Sequence, residues 1–193
     1  MLYNLAKFLC TLVISFLFRI NTTGLEHFPE EGPVIIYSNH KSMWDPIIIG
    51  CILKRPVYFM AKEELFKIPV FGFILKHIHA FPVKRGMPDK SAIKRSLQVL
   101  AENHVLGIFP EGTRSKTGKL LEPEPGIAMI YLKSRNADIV PVAIKGSYRW
   151  FSRIDVVIGR PVKLEVAEEK INSQRLKEIS INIFNEVSKL MSL

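Results

Sequence analysis

Short apolar runs rich in β-branched residues recur along the chain and alternate with longer segments of helical character. Runs of this length favour strands, and strands that alternate with helices are typical of an α/β domain. The predicted strands cover residues 34–38, 57–61, 79–83, 105–109, 139–144 and 154–158. The predicted helices cover residues 44–53, 69–76, 89–103, 124–135 and 168–191. Several of the strands are almost wholly apolar, which indicates a sheet covered by helices on both faces.

The first twenty residues form a separate apolar segment. Residues 8–18 carry no charge, but a membrane-spanning helix needs about 20 apolar residues to cross about 30 Å of hydrocarbon. We therefore expect a helix that lies in the membrane interface. The more polar side chains recur three and four residues apart and form one stripe that should face water, namely Asn4, Lys7, Thr11, Ser15 and Arg19. The alternatives are a core helix packed on the domain and a cleaved signal peptide, but no Ala-x-Ala cleavage pattern follows.

The chain is basic, with 27 Lys and Arg against 18 Asp and Glu, and its net charge of +9 favours anionic partners. An anionic membrane surface, a phosphorylated substrate and nucleic acid all fit this charge. The basic residues occur singly or in pairs rather than on a basic helix, which argues against nucleic acid. Cys10 and Cys51 lie in apolar runs without metal-ligand spacing, so we expect neither a disulfide framework nor a metal site. We expect these cysteines to lie on a reducing, cytosolic side of the membrane.

A polar loop, Asn-His-Lys-Ser-Met-Trp-Asp-Pro at residues 39–46, follows the predicted strand 34–38. Pro46 fits the first turn of the next helix, where unpaired backbone N–H groups project. Histidine is the side chain best suited to accept a proton near neutral pH, and Asp45 is expected to fold back and hold one ring nitrogen of His40. Because the pair has no nucleophile of its own, the substrate is expected to bring one. The alternatives are a structural pair and a serine hydrolase using Ser42, although no Gly-x-Ser-x-Gly elbow surrounds Ser42.

A second polar loop, Phe-Pro-Glu-Gly-Thr-Arg-Ser at residues 109–115, follows the predicted strand 105–109. Gly112 permits unusual backbone angles, Thr113 offers a hydroxyl, and Arg114 can bind a phosphate through two parallel hydrogen bonds. Glu111 is expected to bind a substrate hydroxyl or to pair with an arginine. An ordinary turn is the alternative, since Pro, Gly, Thr and Ser are common in loops.

A third segment, Ala-Phe-Pro-Val-Lys-Arg-Gly at residues 80–86, places Lys84 and Arg85 beside a glycine at the end of a predicted strand. A solvated basic loop is the alternative to a binding site. In α/β sheets the chemistry collects at strand ends and in the loops that follow them. We therefore interpret the two arginine-bearing loops as opposite walls of a phosphate site.

Together these segments resemble the motifs of the glycerolipid acyltransferases, specifically the 1-acyl-sn-glycerol-3-phosphate acyltransferases. Residues 39–45 resemble the family's Asn-His-x-x-x-x-Asp motif, and residues 109–115 resemble its Phe-Pro-Glu-Gly-Thr-Arg-Ser motif. Residues 79–85 are similar to its second motif, and residues 139–144 around Pro141 to its fourth, so the likeness extends over residues 25–160 in the family's order. His79 stands where the family commonly has glycine. We therefore expect either that the backbone at this position differs from that of the family or that His79 narrows the acceptor pocket.

The resemblance implies a mixed central sheet flanked by helices, which we expect over residues 23–193. Residues 1–22 are expected to form the amphipathic membrane-associating helix, on the cytoplasmic face. It implies transfer of an acyl chain from acyl-CoA or acyl carrier protein, as co-substrate and without other cofactors, to the 2-hydroxyl of lysophosphatidate. His40 would act as general base and Asp45 would orient it. Side chains of the other two loops would bind the acceptor, namely Lys84, Arg85, Glu111, Gly112, Thr113 and Arg114. The alternatives are an acyltransferase for glycerol 3-phosphate or another lysophospholipid, and a non-catalytic lipid-binding protein.

Overall fold

The computed structural model describes residues 2–134, 136–164 and 171–193, and its centre is a mixed sheet. The described strands are β1 (Arg19–Thr23), β2 (Val34–Ser38), β3 (Val57–Lys62), β4 (Phe81–Val83), β5 (Val105–Ile108), β6 (Asp138–Gly146) and β7 (Arg153–Ile158). They lie in the order β1-β7-β6-β2-β5-β3-β4, and every neighbouring pair is parallel except β6 with β7. The mixed α/β fold expected from the sequence is confirmed.

Helices cover both faces of this sheet. They are α1 (Leu2–Leu17), α2 (Asp45–Ile52), α3 (Pro69–His77), α4 (Lys90–Ala101), α5 (Gly126–Ser134) and α6 (Ser173–Ser192). Successive side chains of β2 point to opposite faces: Val34 packs with α1 and α2, and Ile35 packs with α5 and α6. Each fully buried aliphatic side chain of this kind contributes about 1.5–3 kcal/mol, so β2 is anchored from both sides.

The predicted elements are present with shifted ends. All six predicted strands form, although β4 begins at Phe81 rather than at residue 79. Strand β1 was not predicted, because Arg-Ile-Asn-Thr-Thr contains no apolar run. It pairs with β7 at the sheet edge, where a strand needs little burial, and Arg19 therefore belongs to the sheet rather than to the helix. Residue 135 and residues 168–170 of two predicted helices lie outside the described residues.

Helix α1 packs one face on the domain and exposes an apolar face on the other side. Its inner face packs on the domain through Ile14, and the Lys7 ammonium donates to the Leu53 carbonyl, so the expectation that Lys7 faces water is wrong. Its outer face exposes large apolar side chains, namely Leu2, Leu5, Phe8, Leu9, Leu12, Val13 and Phe16. None of the helices in the described part of the chain has the length and apolarity needed to cross a bilayer.

The sheet brings the three polar loops together at one edge. Strands β2, β5, β3 and β4 are mutually parallel, so their carboxyl ends lie on the same side. The loop that starts at Asn39 leaves β2, the loop that starts at Phe109 leaves the neighbouring β5, and the loop that starts at Lys84 leaves the edge strand β4. This is the edge where α/β proteins place their sites.

Candidate active site

The His40–Asp45 pair lies in the short connection between β2 and α2. Asp45 is the first residue of α2, where Pro46 continues the first turn, and its carboxylate is completely buried. His40 Nδ1 lies 2.8 Å from Asp45 Oδ2. Because a carboxylate only accepts, Nδ1 carries the proton and the opposite nitrogen, Nε2, has a lone pair. The orientation of His40 by Asp45 that the sequence predicts is therefore present.

Backbone donors fix the orientation of the Asp45 carboxylate. The N–H groups of Lys41 and Ser42 each donate to the same oxygen, Oδ2, at 2.7 Å. These two groups are thus occupied and do not serve as the free donors near the helix start that an oxyanion would need. The Ser42 hydroxyl accepts from the Trp44 N–H at 3.2 Å, which fits a residue that shapes the turn rather than a nucleophile.

Tyr148 completes the environment of Asp45, and sequence reasoning missed it. Its hydroxyl donates to the second carboxylate oxygen, Oδ1. Burial and the neighbouring Asp45 charge raise the pKa of Tyr148, so the hydroxyl stays protonated and remains a donor. A signal was available, because Tyr148 closely follows the apolar strand β6, whose carboxyl end meets that of β2.

Aromatic side chains hold the His40 ring in place. The ring stacks on Phe109 with a centroid distance of 4.1 Å and an interplanar angle of 20°. Phe109 in turn stacks on Phe59 at 5.8 Å. Phe59 needs Gly107 beneath it, because a Cβ at position 107 would lie 2.2 Å from the Phe59 ring. Among the described residues no hydrogen bond engages Nε2 of His40, which leaves this nitrogen available to a substrate.

Asn39 joins the loop of residues 39–46 to β6. Its side-chain oxygen accepts from the Ile144 N–H at 2.8 Å, and its amide donates to the Ile144 carbonyl at 3.0 Å. The side chain therefore continues the ladder between β2 and β6 beyond Ser38, where the backbone of β2 turns away. This contact explains why an asparagine immediately precedes the histidine.

Glu111 braces the two main loops instead of facing an arginine. One carboxylate oxygen accepts from the His40 N–H at 2.7 Å and the other from the Leu121 N–H at 2.9 Å. Burial raises the pKa of Glu111, while these two hydrogen bonds oppose the rise. Ser115 adds a third link, since its N–H donates to the His40 carbonyl at 2.8 Å. The expected pairing of Glu111 with an arginine is absent from the described contacts, and both of its oxygens are engaged by the protein.

The predicted acceptor-binding side chains of the other two loops lie at the same edge of the sheet as His40. Thr113, Arg114, Lys84 and Arg85 are exposed. Although the residue is exposed, partial burial of its guanidinium lowers the pKa of Arg85, and the nearby Arg114 lowers it further. This effect shows that the two guanidinium groups lie close enough to influence each other. Gly112 allows the turn before Arg114, since its φ of +63° is in the left-handed region.

His79 lies away from these cations. It precedes β4, whereas Arg85 follows it, and its ring stacks on Tyr3 at 4.9 Å and on Tyr58 at 4.6 Å. Its φ of +64° is in the left-handed region that favours glycine, so a backbone that differs from a glycine conformation, as the sequence led us to expect, is not found. His79 lines a separate cleft of about 530 Å³.

The arrangement defines an enzyme that lets a substrate group act as nucleophile. His40 has one ring nitrogen free to accept a proton, its other ring nitrogen donates to the buried Asp45 carboxylate, and Arg85 and Arg114 lie near each other. Among the described residues no cluster of three or more His, Cys, Asp or Glu side chains could hold a metal ion. Base-assisted transfer of a group from a second substrate suits this combination.

Comparisons with known proteins identify the class more closely. The Acyltransferase family model matches residues 19–145, and the chain therefore belongs to the acyltransferase family. It is similar to the 1-acyl-sn-glycerol-3-phosphate acyltransferase of Bacillus subtilis, with 33% identity over 80% of this chain and 84% of that protein. It is also similar to the enzyme of that name from Streptococcus pneumoniae, with 29% identity over 93% of this chain and 70% of that protein.

A solved structure shares the fold. The crystal structure of the 1-acyl-sn-glycerophosphate (LPA) acyltransferase PlsC from Thermotoga maritima matches with a TM-score of 0.75 and 23% identity, over 99% of this chain and 80% of that one. The mixed sheet described above is therefore the fold of that enzyme. The family match and the similarity to the Bacillus subtilis and Streptococcus pneumoniae enzymes show that this chain is an O-acyltransferase.

Proposed function

We propose that this chain transfers a fatty acyl chain from an acyl thioester to the 2-hydroxyl of 1-acyl-sn-glycerol 3-phosphate and so forms phosphatidate for phospholipid synthesis. The observation that carries the proposal is the buried His40–Asp45 pair with its free Nε2, at the same edge of the sheet as the loops that carry Arg85 and Arg114. Relatives that bear this enzyme's name support the choice of acceptor. Either acyl-CoA or acyl carrier protein would serve as donor.

In the proposed reaction His40 Nε2 takes the proton of the acceptor hydroxyl. The oxygen attacks the thioester carbonyl, the new C–O bond replaces the C–S bond, and the proton passes from His40 to the departing thiolate. Asp45 stabilises the imidazolium that forms in between, as a carboxylate does in hydrolytic triads. General-base assistance of this kind contributes about 10²–10⁴ in rate, or about 3–5 kcal/mol of barrier.

The acceptor phosphate would bind between Arg85 and Arg114, with Lys84 nearby. A guanidinium can hold a phosphate through two parallel hydrogen bonds, and both arginines have exposed side chains. Glu111 and Gly112 would shape the glycerol site through the loop that they stabilise, and Thr113 would offer a hydroxyl.

The lipid acceptor implies a membrane surface, and α1 offers a face for it. The helix has 16 residues, which corresponds to about 24 Å, and its outer face is apolar along this length. A basic protein with such a helix is suited to the cytoplasmic surface of an anionic membrane. Phe8→Ser with Leu12→Ser should shift the protein from sedimenting with anionic vesicles to the supernatant. Leu25→Ser is the control, because Leu25 is an exposed leucine outside α1, and this variant should still bind the vesicles. Equal vesicle binding by the α1 variant and the control would reject α1 as the docking element.

A substrate assay tests the proposed activity. The purified protein should form phosphatidate from lysophosphatidate and an acyl thioester, and product from glycerol 3-phosphate but not from lysophosphatidate would reject it. Parallel reactions with acyl-CoA and acyl carrier protein thioesters identify the donor.

Arg114→Ala tests the phosphate site. The KM for lysophosphatidate should rise about tenfold or more with little change in kcat, because one charged hydrogen-bonded contact contributes about 1.5–3 kcal/mol. Arg160→Ala is the matched control, since Arg160 is exposed and follows β7, which ends at the opposite edge of the sheet. An unchanged KM in Arg114→Ala would remove Arg114 from the acceptor site.

A further inference from the structure

Tyr148 holds the one oxygen of Asp45 that the catalytic loop does not hold. Oδ2 accepts from His40, Lys41 and Ser42, whereas the described contacts give Oδ1 a single donor, the Tyr148 hydroxyl. Asp45 is completely buried, so water does not replace that donor. We propose that Tyr148 is a positioning residue of the acyltransferase, which locks the Asp45 carboxylate and through it the reactive tautomer of His40. This inference rests on the proposed role of the His40–Asp45 pair.

The Tyr148 ring is itself held in place on two sides. Phe18 meets it edge-to-face at 5.5 Å, and the Lys41 ammonium lies 5.7 Å from its centroid while donating to the Gly146 carbonyl at 2.7 Å. These contacts involve only the ring, so the hydroxyl is used only in the hydrogen bond to Asp45 Oδ1. Replacement by phenylalanine therefore keeps the packing and removes only the hydrogen bond, which leaves a charged buried oxygen without a donor.

Tyr148→Phe should lower kcat about tenfold, with the KM for both substrates changed by less than about twofold. Tyr131→Phe is the matched control, because the Tyr131 hydroxyl accepts a hydrogen bond from Leu164 on the other face of the sheet. That variant should keep wild-type kcat. A folded Tyr148→Phe protein with kcat within about twofold of wild type would overturn the inference.

A double-variant measurement separates positioning from simple structural support. Tyr148 acts through Asp45, so Tyr148→Phe should cause little further loss in an Asp45→Asn background, followed as radiolabelled phosphatidate over long incubations. The same tenfold loss in both backgrounds would show that the hydroxyl acts independently of Asp45 and would overturn the assignment. Absence of activity in the wild-type protein would instead reject the proposed function.

The turn between β6 and β7 carries a second, independent feature. Phe151 has a φ of +61°, unusual for an aromatic residue, and its N–H donates to the Leu17 carbonyl at the end of α1 at 2.7 Å. Its ring contacts Phe16 of α1 edge-to-face at 5.9 Å. Phe16, Trp150 and Phe151 are 67%, 74% and 57% exposed. The turn thus extends the apolar outer face of α1 beyond the end of the helix.

The chemistry of this turn fits a lipid headgroup region. Tryptophan prefers the interface between hydrocarbon and water, and the exposed Arg149 next to Trp150 can pair with lipid phosphates. We propose that residues 149–151 form a second lipid-contact element beside α1, with an anionic bilayer as the partner. This inference rests on the proposed docking of α1 to the membrane.

Trp150 reports its own environment. Fluorescence from Trp150, taken as the difference between wild type and Trp150→Phe, should shift to shorter wavelength with phosphatidylglycerol vesicles and be quenched by lipids that carry a spin label near the headgroup. Trp150→Ser should weaken vesicle binding about tenfold. If the protein binds the vesicles but Trp150 is not quenched, the proposal that residues 149–151 contact lipid is wrong, while docking through α1 remains supported. Absence of any vesicle binding would reject both.

Discussion

Asp45→Asn removes the charge beneath His40 while preserving the shape of the side chain. The two backbone donors, Lys41 N–H and Ser42 N–H, both require an acceptor at the position of Oδ2. They will therefore hold the new amide with its oxygen at that position and its NH₂ group toward Tyr148. His40 Nδ1 keeps an acceptor, so the tautomer with a free Nε2 survives, and the loss is confined to stabilisation of the imidazolium.

The size of that loss follows from the geometry. Two unit charges about 4 Å apart interact by about 4 kcal/mol at the effective dielectric of a protein site, and the dipole of an asparagine recovers part of this. We expect kcat to fall about 10²–10³-fold, which corresponds to about 3–4 kcal/mol, with the KM for lysophosphatidate nearly unchanged. A steady-state assay of phosphatidate formation measures both constants. A loss of kcat below about tenfold, or a loss confined to KM, would refute the role of Asp45 as the charge that supports the base.

Two further predictions concern stability. Gly107→Ala should lower the free energy of unfolding, measured in urea, by about 1–3 kcal/mol, because the new Cβ would lie 2.2 Å from the Phe59 ring. Gly50→Ala is the control and should not lower it, because position 50 has open space around it. Equal unfolding midpoints for the two variants would refute the close packing at Gly107. Hydrogen bonds from the side chain and N–H of Ser91 and from the Lys84 N–H lower the pKa of Asp89 to about 2, below its unfolded value near 4. Asp89 therefore stabilises the fold above about pH 4, and that contribution is lost as the pH falls toward 2. With allowance for solvent screening this amounts to about 1 kcal/mol, and thermal unfolding from pH 5 to 2 should show a smaller decline in Asp89→Asn; identical declines would refute the assignment.

Local patterns predict the elements of this fold well. The apolar runs of β2, β5 and β6 are buried on both faces, so their composition alone identifies them. The edge strand β1 has a polar, half-exposed sequence and exists because β7, distant along the chain, offers it a partner. Such pairing leaves no signal in the sequence of the strand itself.

The site was predictable to the extent that its contacts are local. His40 and Asp45 are five residues apart within one turn, so their pairing follows from the spacing. Tyr148 reaches Asp45 across 103 residues, because the sheet places β6 beside β2. The position of Tyr148 just after an apolar strand was its one signal, and that signal names a partner only once the strand order is known. The same reason explains Glu111, whose partners on two loops depend on how those loops meet.

The most direct test of the account is the rate of acyl transfer in His40→Ala. Purified wild-type protein and variant, matched for folding by thermal unfolding, are compared with lysophosphatidate and an acyl thioester at saturating concentrations. Loss of the base should lower kcat by about 10²–10⁴-fold, and phosphatidate formation should remain clear in the wild type. Wild-type kcat in His40→Ala would contradict the proposed mechanism.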